Sequence, residues 1–212
     1  MPNDYRDIVQ HYEQCLALHG DSHLGVDWPK KEDVDTRYGV MLDVAKFDPA
    51  PPDTAAPSLL DFGCGAAHLL SYLQQQGWNH WHYTGLDLSE KFVTLCRQKF
   101  PAATFYCGDV LQEELSIQPV DYIVMNGVFT EKRSLTFDEM LTYTQQLIRK
   151  VFPLARRGMA FNVMSKQVDW EREDLFHLPI DTLAHFLTKE LSRHFIVRND
   201  YGLYEYTVYL YH

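Results

Sequence analysis

Four short stretches hold the residues whose types and spacing could do chemistry. Asp61, Gly63, Cys64 and Gly65 stand in LLDFGCGAAHLL, between an apolar run and a helical pattern. Asp87 and Leu88 follow about two dozen residues later in TGLDLS, then Gly108, Asp109 and Val110 in YCGDVL, then Asn126 and Gly127 in IVMNGVF. Glycines at the first site let backbone approach a ligand closely, and the helix that follows offers free N–H groups. A carboxylate at the second can accept both hydroxyls of a ribose; alternatively Asp87 simply precedes a helix that starts at Ser89. Asp109 can accept from an adenine amino group while Val110 packs on the ring, or it can be a turn-forming aspartate. Asn126 and Gly127 close the next apolar run and face the same crevice.

Such residues converge only if strand ends hold them together. From residue 58 onward short apolar runs alternate with helical periodicity. SLLDF, HYTGLDL, ATFYCGD, VDYIVMNGV and GMAFNVMS read as strands. Between and after them Leu69, Leu70 and Leu73, then Phe92, Val93 and Cys96, then Met140, Leu147 and Val151, then Leu183, Phe186 and Leu187 fall on helical faces. Thr136 and Glu139 have the spacing of a capping box. Alternation of this kind predicts an α/β fold, a doubly wound, mostly parallel sheet with helices on both faces. The connection between RHFIVRN and LYEYTVYLY is too short for a crossover helix, so that pair must be antiparallel. The expectation is a seven-stranded sheet with an antiparallel last strand. The tyrosines of that strand are either internal or at an edge that pairs with another subunit.

Upstream, residues 1–48 form an N-terminal helical cap of two helical patterns, with Trp28 in the turn-rich stretch between them. PAPPDTAAP, residues 49–57, reads as a Pro-rich linker, and residues 58–212 as the main domain, the whole making one structural unit.

Two cofactor classes compete for the glycine loop. A dinucleotide fingerprint needs Gly or Ala at position 68, where this chain has His68. Asp61 would repel a pyrophosphate but suits a cationic ligand, directly or through water. DFGCGAA, GLDLS, CGDVL and DYIVMNGVF, in that order over roughly residues 58–130, resemble the successive motifs of class I S-adenosylmethionine-dependent methyltransferases, which have a Rossmann-like fold. The resemblance implies S-adenosyl-L-methionine as cofactor. It places Gly63 and Gly65 against the methionine part, Asp87 on the ribose, Asp109 and Val110 at the adenine, and Asn126 at the rim of the methyl-transfer site. Ala67 stands where many members have a third glycine and is small enough to be tolerated. Arg37 resembles an arginine that some small members use to hold the cofactor's carboxylate; the other reading is an ion pair with Asp33 or Asp35. Trp28 either closes over the cofactor or staples the cap to the core.

A sulfonium is already a good leaving group, so alignment of acceptor, methyl and sulfur is the main task and contributes up to ~7–11 kcal/mol. A base is needed only when the acceptor must lose a proton. Charged loops after the fourth and fifth strands supply the candidates: Glu131, Asp169 and Arg172 for catalysis, with Lys166 and Trp170, and Trp28 from the cap, for substrate contact. His68, in the first turn of its helix, more often packs or caps than acts as a base.

Composition limits what the acceptor can be. A net charge of -10, with no basic cluster longer than Lys30-Lys31 or Arg156-Arg157, disfavours a nucleic-acid partner. No run of about 18 apolar residues is present, so no membrane partner is expected. The polar start MPNDYRDIVQHYE does not read as a signal peptide. Cys15, Cys64, Cys96 and Cys107 lack short pair spacing, which argues against a disulfide framework or zinc cluster and fits a cytoplasmic protein without a metal. The expected activity is methyl transfer to a small-molecule acceptor, such as a hydroxyl of a sugar or other metabolite. A cofactor-binding scaffold or partner subunit without its own activity is the alternative. O- or N-methylation, the pathway and the oligomeric state are not readable from the sequence.

Overall fold

A computed structural model describes residues 5–212. Strands β1 (Ser58–Phe62), β2 (His82–Asp87), β3 (Thr104–Cys107), β4 (Val120–Phe129) and β5 (Ala155–Ser165) pair in parallel. With β7 (Phe195–Arg198) and β8 (Glu205–Tyr211) the order across the sheet is β3-β2-β1-β4-β5-β8-β7. β8 lies between β5 and β7 and is antiparallel to both, as the short connection requires. An eighth strand, β6 (His177–Leu178), pairs in parallel with the end of β5. Two residues are too few to leave a periodicity, so it goes unseen in the sequence.

Side-chain alternation divides the core in two. Leu60 and Phe62 of β1, with Tyr206, Val208 and Leu210 of β8, face α5 (Phe137–Val151) and α6 (Ile180–Glu190). Leu59 of β1, with Tyr209 and Tyr211 of β8, faces α2 (Glu32–Lys46), α3 (His68–Gln75) and α4 (Glu90–Lys99). Burying each Leu, Ile or Phe in these layers stabilises the fold by about 1.5–3 kcal/mol. Ser89 caps α4 by accepting from the Phe92 N–H, and Thr136 and Glu139 complete the capping box of α5.

The tyrosines of β8 are internal. The hydroxyls of Tyr206, Tyr209 and Tyr211 donate to the backbone carbonyls of Leu178, Val40 and Val44 at 3.0, 2.5 and 2.8 Å. They tie α2 and β6 to the sheet, and each buries a ring without orphaning its hydroxyl.

α1 (Arg6–His19) is held differently. Ile8 is its one buried residue, so polar contacts to loops of the sheet fasten it. Glu13 accepts from Ser89 Oγ at 2.6 Å and pairs with Lys91 at 2.7 Å, and Asp7 accepts from Ser134. Past Gly20, which takes a φ of +62° to end the helix, Asp21 bonds His68 and Lys99. A helix joined this way covers the carboxyl ends of the strands while giving the core little more than Ile8 and the partly buried Tyr12. No helix among the described residues is long and apolar enough to cross a membrane.

Candidate active site

Strand order reverses between β1 and β4, so their following loops diverge and leave a crevice beyond the carboxyl ends. The crevice is a cavity of about 1020 Å³ including its open mouth. Asp61, Gly63, Cys64 and Gly65 line it from the loop after β1, Asp87 and Leu88 from β2, Gly108 from β3, and Asn126 and Gly127 from β4. Tyr5, Ile8, Val9 and Tyr12 of the α1 segment close the other side, with Val26, Trp28 and Tyr143.

The glycine loop is a bend whose shape the sequence dictates. Gly63 and Gly65 have φ of +73° and +50°, the left-handed region that side chains disfavour. The N–H groups of Gly63 and Cys64 both donate to the Leu86 carbonyl, and the Gly65 N–H donates to Asp87 Oδ2 at 2.8 Å. Ala67 also is left-handed, at φ +54°, with its methyl fully buried. Handedness rather than size therefore explains a glycine there, and alanine tolerates it at a cost of about 1–2 kcal/mol.

Two carboxylates face the cavity in distinct states. Asp61 is buried and accepts from the Tyr83 hydroxyl at 2.7 Å. Burial raises its pKa to about 7; the Tyr83 bond opposes this and the Asp87 charge adds to it. Asp87 accepts from the Gly65 and Ser89 N–H groups, one on each oxygen. Burial still raises its pKa, against those backbone bonds. His68, also on the cavity wall, is held by Asp21 at 2.7 Å, and burial lowers its pKa despite that carboxylate. Tyr12 has its phenol pushed up by burial first, then by Glu131 and Asp27, so it stays a neutral donor.

At the end of β4, Asn126 has both amide atoms buried without a hydrogen-bond partner. Behind it a chain of polar groups runs through the sheet. The Gly127 N–H donates to Asn162 Oδ1 at 2.8 Å, Asn162 Nδ2 to Glu205 at 3.0 Å, and Arg37 Nε to both Glu205 oxygens at 3.1 and 3.2 Å. The Arg37 guanidinium lies 5.3 Å over the Trp28 ring. Its partner is therefore Glu205, not Asp33 or Asp35, and its Nη1 is buried with no partner. Trp28 both packs against the Tyr38 ring in the cap and walls the cavity.

Other residues singled out in the sequence lie off this cavity. Asp109 accepts from the Tyr5 hydroxyl and the Leu111 N–H in a neighbouring groove, and Val110 packs in the core beneath. Glu131 is buried behind Tyr12, and burial raises its pKa, assisted by Asp27 and Asp174. Lys166, Asp169, Trp170 and Arg172 belong to the loop after β5 and line neighbouring surface pockets rather than this cavity. There Lys166 pairs with Glu171, Arg172 with Asp174, and Asp169 accepts from Tyr204. Trp170 is 69% exposed. Asn162 and Glu205 had a sequence signal, polar residues inside apolar strands. Tyr5, Ile8 and Tyr12 fall near one face of a helical pattern, but such periodicity does not say what a helix covers, and Val9 and Val26 carry no signal.

Residues 59–150 match the family described as "Methyltransferase domain". A protein of Mycobacterium tuberculosis (strain ATCC 25618 / H37Rv) named "Putative methyltransferase Rv1506c" is 29% identical over 156 residues, which are 71% of this chain and 90% of that protein. Among solved structures, magnesium protoporphyrin IX methyltransferase (ChlM) from Synechocystis PCC 6803, with bound SAH, is similar at a TM-score of 0.63 and 16% identity. The match covers 98% of this chain and 100% of that one. The plantazolicin methyltransferase BpumL, in complex with a pentazolic desmethylPZN analog and SAH, is similar at 0.60 and 14% identity, covering 97% of each chain. At these identities the two structures establish the fold alone.

Proposed function

We propose that the chain is a class I S-adenosylmethionine-dependent methyltransferase that moves the methyl group of S-adenosyl-L-methionine to a hydroxyl of a small molecule admitted beneath α1, a reading supported by the methyltransferase-domain match and the mycobacterial relative. In this reading the cofactor lies along the strand ends. Asp87 takes the ribose, Gly63 and Gly65 adjoin the methionine part, Asp61 balances its positive charge, and Gly108 marks the adenine end, with Asp109 reached only through the adjoining groove. The acceptor occupies the half of the cavity walled by Tyr5, Tyr12, Trp28 and Tyr143. The relatives of this fold named above act on a porphyrin and a plantazolicin precursor analogue, so the fold leaves the acceptor open.

The observation that supports the reading is Asn126, which lines the cavity and whose amide donor and acceptor are both buried with no hydrogen-bond partner. A buried amide without partners costs on the order of 1–3 kcal/mol, which a polar ligand recovers. Asn126 and the neutral Tyr12 hydroxyl would orient the acceptor oxygen, and orientation is what this chemistry needs most. Calorimetry with S-adenosylhomocysteine, followed by a screen of hydroxylated metabolites with methyl-labelled cofactor, tests it. Binding weakened by Asp87→Ala, with kcat lowered by Asn126→Ala at little changed cofactor affinity, is the expected result. Absence of S-adenosylhomocysteine binding, or label found only on protein or nucleic acid, would refute it.

A further inference from the structure

His11 and Cys15 are four residues apart on α1 and so share one face of the helix. The chain then turns back through the left-handed Gly20 and Asp27, which carries the Asp27 carboxylate over that face. The His11 Nε2, Cys15 Sγ and one Asp27 oxygen all lie within 4.8 Å of one another. Asp27 Oδ2 is 2.7 Å from His11 Nε2, and Cys15 Sγ is 3.7 Å from the same nitrogen. A nucleophilic relay would require the thiol and the carboxylate on opposite ring nitrogens. Here both converge on one, so no proton can pass through the ring from sulfur to carboxylate.

Convergence of one nitrogen, one sulfur and one oxygen on a single point is the arrangement of a metal site. In a tetrahedral zinc centre the bond lengths put N and O roughly 3.3 Å apart and N and S roughly 3.5 Å apart. The observed separations differ from these by well under an ångström, within the reach of rotamer adjustment by half-buried side chains. A second observation lies beside the group. Glu131, only 6% exposed, has an oxygen with no hydrogen-bond partner, Oε2, which faces Arg133 across 3.5 Å. Glu131 acts electrostatically on Asp27, His11 and Cys15, so the pocket already holds more than one carboxylate in need of a cation.

We propose that His11, Cys15 and Asp27 bind one divalent transition-metal ion of zinc character, with a fourth position left to water or Glu131. Imidazole, thiolate and carboxylate together favour zinc over the hard cations magnesium and calcium. Scattered cysteines gave no reason to expect a metal; the fold supplies one by pairing a single helical His-x-x-x-Cys with an aspartate from the following turn. The ion fastens α1, whose Ile8 and Tyr12 wall the cavity, to the turn that holds Val26 and Trp28 on the same wall. Binding displaces the thiol proton of Cys15 to solvent.

The test uses the untagged full chain, stripped with chelator and titrated with Co²⁺ and then Zn²⁺ near neutral pH. One equivalent of Co²⁺ should bind with a thiolate-to-metal charge-transfer band, and Zn²⁺ should displace it. Cys15→Ser should abolish the band, Cys107→Ser should keep it, and His11→Gln or Asp27→Asn should weaken Zn²⁺ binding on the order of 100-fold. Circular dichroism checks that each variant is folded. In the wild type, independently of any variant, Zn²⁺ should slow amide exchange in residues 6–27. Failure of saturable binding, a band that survives Cys15→Ser, or unchanged exchange in that segment would each overturn the proposal.

Discussion

Asp61 is where burial and a cationic ligand pull a proton in opposite directions, and replacing it by asparagine separates the two. Burial raises its pKa from 3.8 to about 7, so ionising it in the ligand-free cavity costs on the order of 4 kcal/mol. The folded pKa lies above the unfolded one. The stability conferred by the neutral form is therefore complete below about pH 4 and is lost progressively as pH rises through 7. Asp61→Asn keeps an acceptor for Tyr83 and removes the ionisable group, so it should flatten that decline and make the ligand-free protein more stable near pH 8. Cofactor binding should respond in the reverse sense. The α-ammonium that S-adenosylhomocysteine shares with the methyl donor is best met by the ionised carboxylate, so wild-type affinity for S-adenosylhomocysteine should rise up to tenfold per pH unit between about pH 5 and 7, then level off. The variant should lose affinity by about 1.5–3 kcal/mol near pH 8, the worth of a hydrogen bond to a charged group. Asp87, also raised by burial, titrates in the same direction, and burial shifts His68 downward; comparison with the variant isolates the Asp61 contribution. Calorimetry across pH in buffers of different ionisation enthalpy counts the released proton. Equal slopes in wild type and variant, or a flat wild-type profile below pH 7, would refute the reasoning.

Gly63→Ala should lower Tm by roughly 5–15 °C in a thermal melt, because φ is +73° and the new methyl would lie 2.7 Å from Val128 Cγ2. An unchanged Tm would mean that the loop shifts freely and that its handedness is not the constraint. Asp48→Ala should destabilise by about 3 kcal/mol above pH 5, since it strips a buried carboxylate from Arg157, Tyr122 and the Ala50 N–H. Burial opposes the Asp48 charge, but those four bonds, two of them from Arg157, outweigh it and hold the carboxyl below the usual range. The wild type should therefore lose this contribution only in acid, as pH falls below about 4. A chemical-denaturation difference under 1 kcal/mol near neutral pH would contradict it.

The sequence by itself determined the alternation of strands and helices, the antiparallel last strand and the motif at each strand end. These are local facts: an apolar run, a glycine pair, a carboxylate at a fixed place after a strand. Backbone sterics and hydrogen bonding make each legible without a partner. Ser89 and Thr136 were readable as caps for the same reason. What the tertiary structure decided is which surfaces meet. The sequence could not show that α1 covers the crevice, since a helix with one buried residue has little pattern to report its neighbour. Nor could it pair Arg37 with Glu205, 168 residues away, or put Asp27 on His11 and Cys15. The loop after β5 is as charged and aromatic as any, yet Lys166, Asp169, Trp170 and Arg172 do not line the cavity, because a strand end fixes a loop's origin but not its direction. Contacts of that kind depend on how far chain segments must travel to meet, and short-range spacing holds no record of it.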